Sequence, residues 1–523
     1  MLAACAIALA LAHGKDLDWD LLNYHYYNGW ALLHDRLDRD IAAAQLQTYF
    51  NPLLDAGGYL AIAHLPPWLV ASLYALVQSA NAGLLFLLAR RLLRERIAAE
   101  DVRTWVALAL ALAGMTGAIF RAEIGGGVGD TLVSIPLLGS VALVVCRHHR
   151  QHTLRVLFVA GALAGCAAGL KLVAAIHAAG FGLAIWVLPA PSAWRRCLQT
   201  GVFGAGALLG WAALDGWWRL HLWQEFGNPF FPLFNQWFRS PYATLAPLAD
   251  TRFLPHGLGQ ALIYPLYWLV HPAAVSDAGR FLDLRLPLWF VVGLLWIARR
   301  QWGGRRRPLE AGSAFLLSGS TLSYLLWLTV FGVYRYLATL ELLAPLALTL
   351  LLGDLVRAPR ARRVGFAALL ALLVVLVLPM KYARGDLSGD YFGIALPPSA
   401  QQATQGLVLL GGVSPIAFVV PALSEALDFV RVSSNFHGAG ERTRLDEDIE
   451  RRVATATGPL YAMIASHEAA AFDARLAQLG VARAPGSCAP IGNSAHATRP
   501  VPMLDSPLLW CRVEQARPDV VRP

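Results

Sequence analysis

LPLWFVVGLLWIARRQWGGRRRPLEAGSAFLLSGSTLSYLLWLTVF, Leu286 to Phe331, sets two apolar runs on either side of a segment carrying five arginines. Short loops rich in Lys and Arg stay on the cytoplasmic side of a membrane, so this segment reads as a cytoplasmic loop between two crossings. The same signature recurs at Arg90-Arg91 with Arg94 and Arg96, at Arg147 to Arg150, at Arg195-Arg196 and at Arg357 to Arg363. Between consecutive clusters the chain crosses the bilayer an even number of times, which puts the middle of each intervening stretch on the outer face. Those midpoints hold Asp130, Lys171 and Arg335.

Composition agrees. Hydrophobic residues make up 57% of the 523, charged residues only 15%, and the mean hydropathy is +0.50. A soluble domain carries more charge, so lipid is the main solvent of this chain. The net charge of +9 sits largely in the short basic loops. It therefore reports orientation and contact with membrane lipids, and nucleic acid is not expected as a partner.

The opening MLAACAIALALAHG is shorter than the roughly 20 residues of a spanning helix and has no basic residue before Lys15. A first transmembrane helix fits better than a signal peptide, with Lys15 onward outside. Leu154 to Leu188 is too long for one crossing, since a single helix of that length would measure about 50 Å against a hydrocarbon core of about 30 Å. It is expected to fold back near Lys171. The pattern gives an all-α polytopic bundle of about eleven transmembrane helices over residues 1–380, with outer loops at 15–57 and 215–285. The second loop is rich in Trp, Phe, Tyr and Pro and contains GNPFFPLFN, Gly227 to Asn235, as suits a surface at the membrane interface. From 381 to 523 the sequence turns mixed polar, with β-branched runs at Ile416 to Val420 and Phe429 to Val432 and a helix-like stretch at Glu468 to Leu479. This reads as a small α/β extracytoplasmic domain. Of the six cysteines, Cys488 and Cys511 fall in this outer segment, where oxidation is permitted, and are expected to pair.

Four outer positions carry chemistry. The first loop reads KDLDWDLLNYHYY from Lys15, placing Asp16, Asp18 and Asp20 just before Tyr24 and His25. Such a trio serves as a general base or cation ligand, and equally as an ordinary helix start. Asp130 ends EIGGGVGD, whose glycines admit close backbone approach, and it also suits a helix cap. Lys171 is a lone ammonium at the outer end of an apolar segment, which calls for an anion or for snorkelling to the headgroups. Arg335 lies in VYRYLATLE, between Tyr334 and Tyr336; a guanidinium grips phosphate bidentately, while an internal pair with Glu341 is the structural alternative. His177 reads as a satisfied bundle histidine.

Together these motifs resemble the GT-C superfamily of integral-membrane glycosyltransferases: Asp20 with Tyr24 and His25 after the first helix, the Gly-Asp turn at Asp130, the Gly-Leu-Lys segment at Lys171, GNPFFPLFN and the Tyr-Arg-Tyr turn at Arg335. The resemblance covers about residues 1–380 and implies a polyprenyl-phosphate-linked sugar as donor and a glycan, lipid or protein as acceptor, in the bacterial inner membrane with the site facing the periplasm. It further implies Asp20 as base, Asp130 as a second acid, and Lys171 and Arg335 as donor clamps, with Asp18, Tyr24, His25, Tyr336 and Glu341 around the substrate. A divalent cation, Mg or Mn, is compatible with these residues and not demanded by them. A transporter or flippase of lipid-linked sugars, and a polysaccharide polymerase or ligase, are the rival readings; the first expects inverted repeats and the second an Arg- and His-rich outer loop.

Overall fold

A computed structural model describes residues 1–147, 153–248, 250–302, 308–356, 358–437, 441–493 and 506–515. Of the basic clusters, Arg150, Arg305 to Arg307 and Arg357 lie outside the described residues. The chain forms two compact units. One comprises residues 1–12, 73–216 and 250–382; the other comprises 13–72, 217–249 and 383–523.

The first unit is helical. Among the described residues, six helices are long and apolar enough to cross a membrane: Pro67–Leu92, Asp130–Arg147, Thr153–Leu170, Ala193–Phe226, Ala311–Val330 and Tyr334–Leu355. Two further apolar helices, Leu2–His13 and Leu172–Val187, are shorter, and two more that the sequence marks as crossings, Glu100–Gly114 and Pro359–Val375, are 15 and 17 residues long. The helix from Thr153 stops at Leu170, Lys171 is extended at φ −149° and ψ 114°, and a new helical stretch begins at Leu172. The long apolar segment thus breaks at the one residue whose charge is least at home in it.

Thr153–Leu170 packs on Ala193–Phe226 through small residues. A Cβ added to Gly165 would collide with the carbonyl of Ala207, and one on Gly206 with the carbonyl of Phe158. Each of these glycines belongs to a GxxxG spacing, Gly161/Gly165 and Gly206/Gly210, whose missing side chains let two backbones touch where lipid offers no hydrophobic drive for association. Ala193–Phe226 runs on for 34 residues, so the expected exit at Leu214 is not a loop boundary and the loop proper starts at Gly227.

In the second unit a six-stranded sheet forms from β1 (Gly406–Leu410), β2 (Leu427–Arg431), β3 (Leu460–Ala465), β4 (Val481–Arg483), β5 (Ala489–Ile491) and β6 (Leu508–Gln515). The order is β2-β1-β3-β6-β4 with β5 also on β6; β1 pairs in parallel with β2 and β3, and β6 is antiparallel to all its neighbours. The helix Arg444–Ala454 repeats apolar residues at Leu445, Ile449 and Val453, one per turn, and with Phe472 and Leu476 of Ala469–Gln478 it covers Leu409, Val430 and Ala462 of the sheet. Thr443 and Asp446 close a capping box at its start. The β-branched run Ile416 to Val420, expected as a strand, is a 3-10 turn over Ala417–Ala422, because Pro415 and Pro421 bracket it and remove the donors a ladder needs. Cys488 and Cys511 are joined, with S–S 2.05 Å.

The first outer loop and GNPFFPLFN belong to this same unit. Lys15–Asp16 pairs antiparallel with Arg384–Gly385, and Ile41 bridges in parallel to Val430. Phe231 is buried with Tyr49, Trp218 and Leu222, so part of the aromatic density builds a core instead of an interface; Trp237 and Phe238 beside it are exposed.

Candidate functional site

The turn from Glu123 to Thr131 is held from both sides. Gln78 accepts from the Gly125 N–H at 2.9 Å and donates to the carbonyls of Glu123 and Gly126 at 3.1 and 3.2 Å. Gly125 and Gly129 adopt positive φ, 74° and 95°, which a side chain would resist. Glu123, fully buried, accepts from both the N–H and the hydroxyl of Thr131 at 2.8 and 2.9 Å. The N-terminus of Asp130–Arg147 is therefore capped by Glu123, and Asp130 is released from the capping role its position suggests.

Asp130 instead meets the two cations. Lys171 Nζ lies 2.7 Å from Asp130 Oδ1 and donates to the Val128 carbonyl at 2.8 Å; Arg335 Nε lies 3.9 Å from Asp130 Oδ2. Asp130 is 3% exposed, while the Lys171 and Arg335 side chains keep 16% and 23%. Oδ2 of Asp130 accepts no hydrogen bond among the described residues. The anion that Lys171 calls for is thus supplied by the chain itself, and snorkelling is not needed to account for it. The Arg335 guanidinium lies 5.4 Å from the Tyr336 ring, and His177 Nε2 donates to the Tyr336 carbonyl at 2.8 Å, which makes His177 a brace for the Tyr-Arg-Tyr turn.

The Glu341 carboxylate is buried and accepts from the N–H groups of Ile119 at 3.0 Å and Phe120 at 3.3 Å and from the Tyr334 hydroxyl at 3.3 Å, so among the described residues the internal pair with Arg335 is not formed. It caps the short helix Ala118–Glu123, where an anion is favoured by the exposed N–H groups.

In the second unit the first-loop acids order their own backbone. Asp16 Oδ1 accepts from the Asp18 N–H at 2.9 Å and Asp18 Oδ2 from the Asp20 N–H at 3.2 Å, and Asp16 and Asp20 are buried. Lys15, expected in an open loop, is buried and donates to the Asp390 carbonyl at 3.0 Å. A π-helical turn, Leu21–His25, brings the Tyr24 and His25 ring centres to 4.0 Å, tilted by 38°. His25 Nδ1 lies 2.6 Å from Asp55 Oδ1, both buried.

No protein-family model and no characterised protein sequence matches the chain. A solved structure does match, that of ArnT from Cupriavidus metallidurans bound to undecaprenyl phosphate: it aligns with 98% of this chain and 97% of its own, at a TM-score of 0.50 and 13% identity. The chain has the fold of ArnT. At that identity the match speaks for architecture alone, and the architecture is the one expected: a multi-pass helical part with a small C-terminal sheet region.

Within this ArnT-like frame, two residues went unread in the sequence. Glu123 sits beside a glycine run and carries no motif, and Asp55 falls in the first turn of Leu53–His64, where an acid ordinarily serves the helix terminus. Among the described residues no three His, Cys, Asp or Glu side chains gather as a metal site would need. Asp130 is committed to ammonium, and Asp16 and Asp18 to backbone N–H groups, donors a divalent cation would have to displace. The residues present do not fit a Mg or Mn centre, and no step is derived through one.

Proposed function

We propose that the chain is an integral-membrane glycosyltransferase that moves a sugar from a polyprenyl-phosphate donor to an acceptor hydroxyl on the periplasmic face of a bacterial inner membrane. The observation that carries the reading is the partly open cluster of Lys171, Asp130 and Arg335, in which Asp130 Oδ2 accepts no hydrogen bond among the described residues, in a fold shared with a protein solved with undecaprenyl phosphate.

In this mechanism the phosphate of the donor lies against Lys171 and Arg335. As the bond between the anomeric carbon and the phosphate oxygen breaks, that oxygen keeps the electron pair. Fixed cations aimed at the charge it develops lower the barrier by more than they stabilise the bound donor. Asp130 holds both cations in place before substrate arrives and orients the donor afterwards. Asp20 takes the proton of the acceptor hydroxyl, whose oxygen attacks the anomeric carbon in one displacement and inverts it. Asp18, Tyr24 and His25, the last fixed by Asp55, line the acceptor side, and Tyr336 the donor side.

The test is to incubate the purified protein with undecaprenyl- and decaprenyl-phosphate sugars in a bacterial envelope lipid extract and to measure released polyprenyl phosphate. Release by the wild type and none by Asp20→Asn is the expected result. Equal release by both removes Asp20 from the role of base, and release by neither removes the transferase reading.

A further inference from the structure

The second unit holds a cavity of about 190 Å³, far more than the roughly 10–15 Å³ that a single ordered water occupies on this measure. Its walls come from the first outer loop, from the stretch after Trp218 and from the helix at Asp448, and none of them includes a residue assigned above to the transfer reaction. Its chemistry is lopsided. Phe226 and Tyr242 supply aromatic faces, their rings 5.3 Å apart at 84°, and Trp218 stacks on His221 with centres 4.9 Å apart. Four carboxylates line it, Asp38, Asp40, Glu225 and Asp448, and neither Lys nor Arg does.

One wall atom points to a ligand. Asn28 is 2% exposed and its amide N–H donates to the Gln47 carbonyl at 2.9 Å, yet its Oδ1 has no hydrogen-bond partner among the described residues. A buried acceptor left unbonded costs about 1–3 kcal/mol, so it gains from any ligand that brings an O–H or N–H. Asp38, Glu225 and Asp448 accept from the same donors, whereas Asp40 is already bonded to Arg36, Tyr27 and the Phe429 N–H. Flat aromatic faces beside converging acceptors suit a ring with C–H bonds on its face and hydroxyls on its rim.

We infer that this cavity is a saccharide-binding site, distinct from the Lys171–Asp130 cluster, which takes a neutral or amine-bearing sugar ring and rejects one bearing an acid group. The preference follows from the wall: an acidic sugar meets Asp38 and Glu225 with no Lys or Arg in the lining, Asp38 facing His221 at 3.6 Å, while Asp448 is already paired with Arg451 at 2.8 Å.

The full chain in lipid nanodiscs, free of sugar-headed detergent, is titrated with N-acetylglucosamine, glucosamine and glucuronic acid and read by saturation-transfer NMR and calorimetry. The first two are expected to bind saturably and about tenfold or more tighter than glucuronic acid, by the cost of placing like charges together. Asn28→Ala weakens N-acetylglucosamine binding. Glu225→Lys, at an exposed position that leaves the fold intact, shifts the preference toward glucuronic acid. Lys171→Met binds as the wild type does, which separates this site from the proposed donor site. The inference is overturned by no saturable binding, by equal affinity for glucuronic acid, by a Glu225→Lys protein with unchanged preference, or by loss of binding in Lys171→Met. Should Asn28→Ala fail to fold, the Glu225→Lys comparison decides alone.

Discussion

Asp283 and Arg285 bond each other at 2.6 Å with neither side chain exposed, whereas Lys171 and Asp130, 2.7 Å apart in the same helical unit, leave the ammonium 16% open. The first pair is almost fully used. Asp283 also accepts from the N–H groups of Ala118 and Arg285, and Arg285 donates to the carbonyls of Ala113 and Leu373 and to the Thr116 hydroxyl. In the second pair Asp130 Oδ2 accepts no hydrogen bond among the described residues, and the Arg335 guanidinium lies 3.9 Å from it. A charge pair that has consumed its hydrogen-bonding capacity ties segments together; one with capacity in reserve can exchange a partner for a ligand.

That contrast predicts opposite mutational signatures. Arg285→Met strands the Asp283 carboxylate where no water reaches it, and breaking such a pair costs about 3–5 kcal/mol. The expected outcome is a collapse in the yield of monodisperse protein and a large drop in melting temperature; a wild-type melt would show that the pair is not structural. Lys171→Met leaves Asp130 with Arg335 still at hand, so the melt falls far less, while release of polyprenyl phosphate drops on the order of a hundredfold or more, the usual scale for removing one preorganised donor to developing charge. Wild-type turnover in Lys171→Met would erase the distinction between the two pairs.

Sequence alone pointed to the residues of the Lys171–Asp130 cluster and hid both their pairing and the Asp283–Arg285 pair. The basic loops set Asp130, Lys171 and Arg335 each midway between two of them, because such a reading needs only charge counted near helix ends, and the structure brings the three together. The break at Lys171 was readable from length. What depends on three-dimensional pairing was not: the sequence offers Asp130 as a cap and Glu341 as a partner for Arg335, and the structure gives the cap to Glu123 and sends Glu341 to the N–H groups of Ile119 and Phe120. Both assignments depend on which backbone comes within 3 Å of which carboxylate, a quantity with no local signature. Gly161 and Gly206 were visible as letters, but their purpose emerges only when the facing helix is in place.

In the second unit a buried ring that makes no hydrogen bond among the described residues offers a milder version of the same comparison, read through pH. His437 has 1% of its side chain exposed and neither ring nitrogen makes a hydrogen bond among the described residues. Burial pushes its pKa down to about 3, with Asp446 opposing and Arg431 and Arg475 reinforcing the shift. Because the folded value lies below the unfolded one near 6.5, the unfolded chain binds the extra proton first. Stability from this residue is complete above about pH 6.5 and is lost as the pH falls toward 3. Melting curves between pH 7 and 4 are expected to fall for the wild type and to fall less for His437→Leu; parallel curves would mean that another group sets the acid limit.

The smallest effect belongs to a pair that looks strongest on paper. Arg252 grips Asp250 through two nitrogens, at 2.9 and 2.6 Å, better geometry than Arg335 offers Asp130. Yet the two side chains are 70% and 41% exposed, and water competes for both. Exposed pairs contribute about 0.2–1 kcal/mol at most, offset by the entropy of holding two long side chains still. Arg252→Ala is therefore expected to change the melting temperature by a degree or two and to leave polyprenyl-phosphate release untouched. If it destabilises as Arg285→Met does, hydrogen-bond geometry rather than burial sets the worth of a charge pair in this protein. The line drawn between Asp283–Arg285 and Lys171–Asp130 would then have to be redrawn on distance and angle alone.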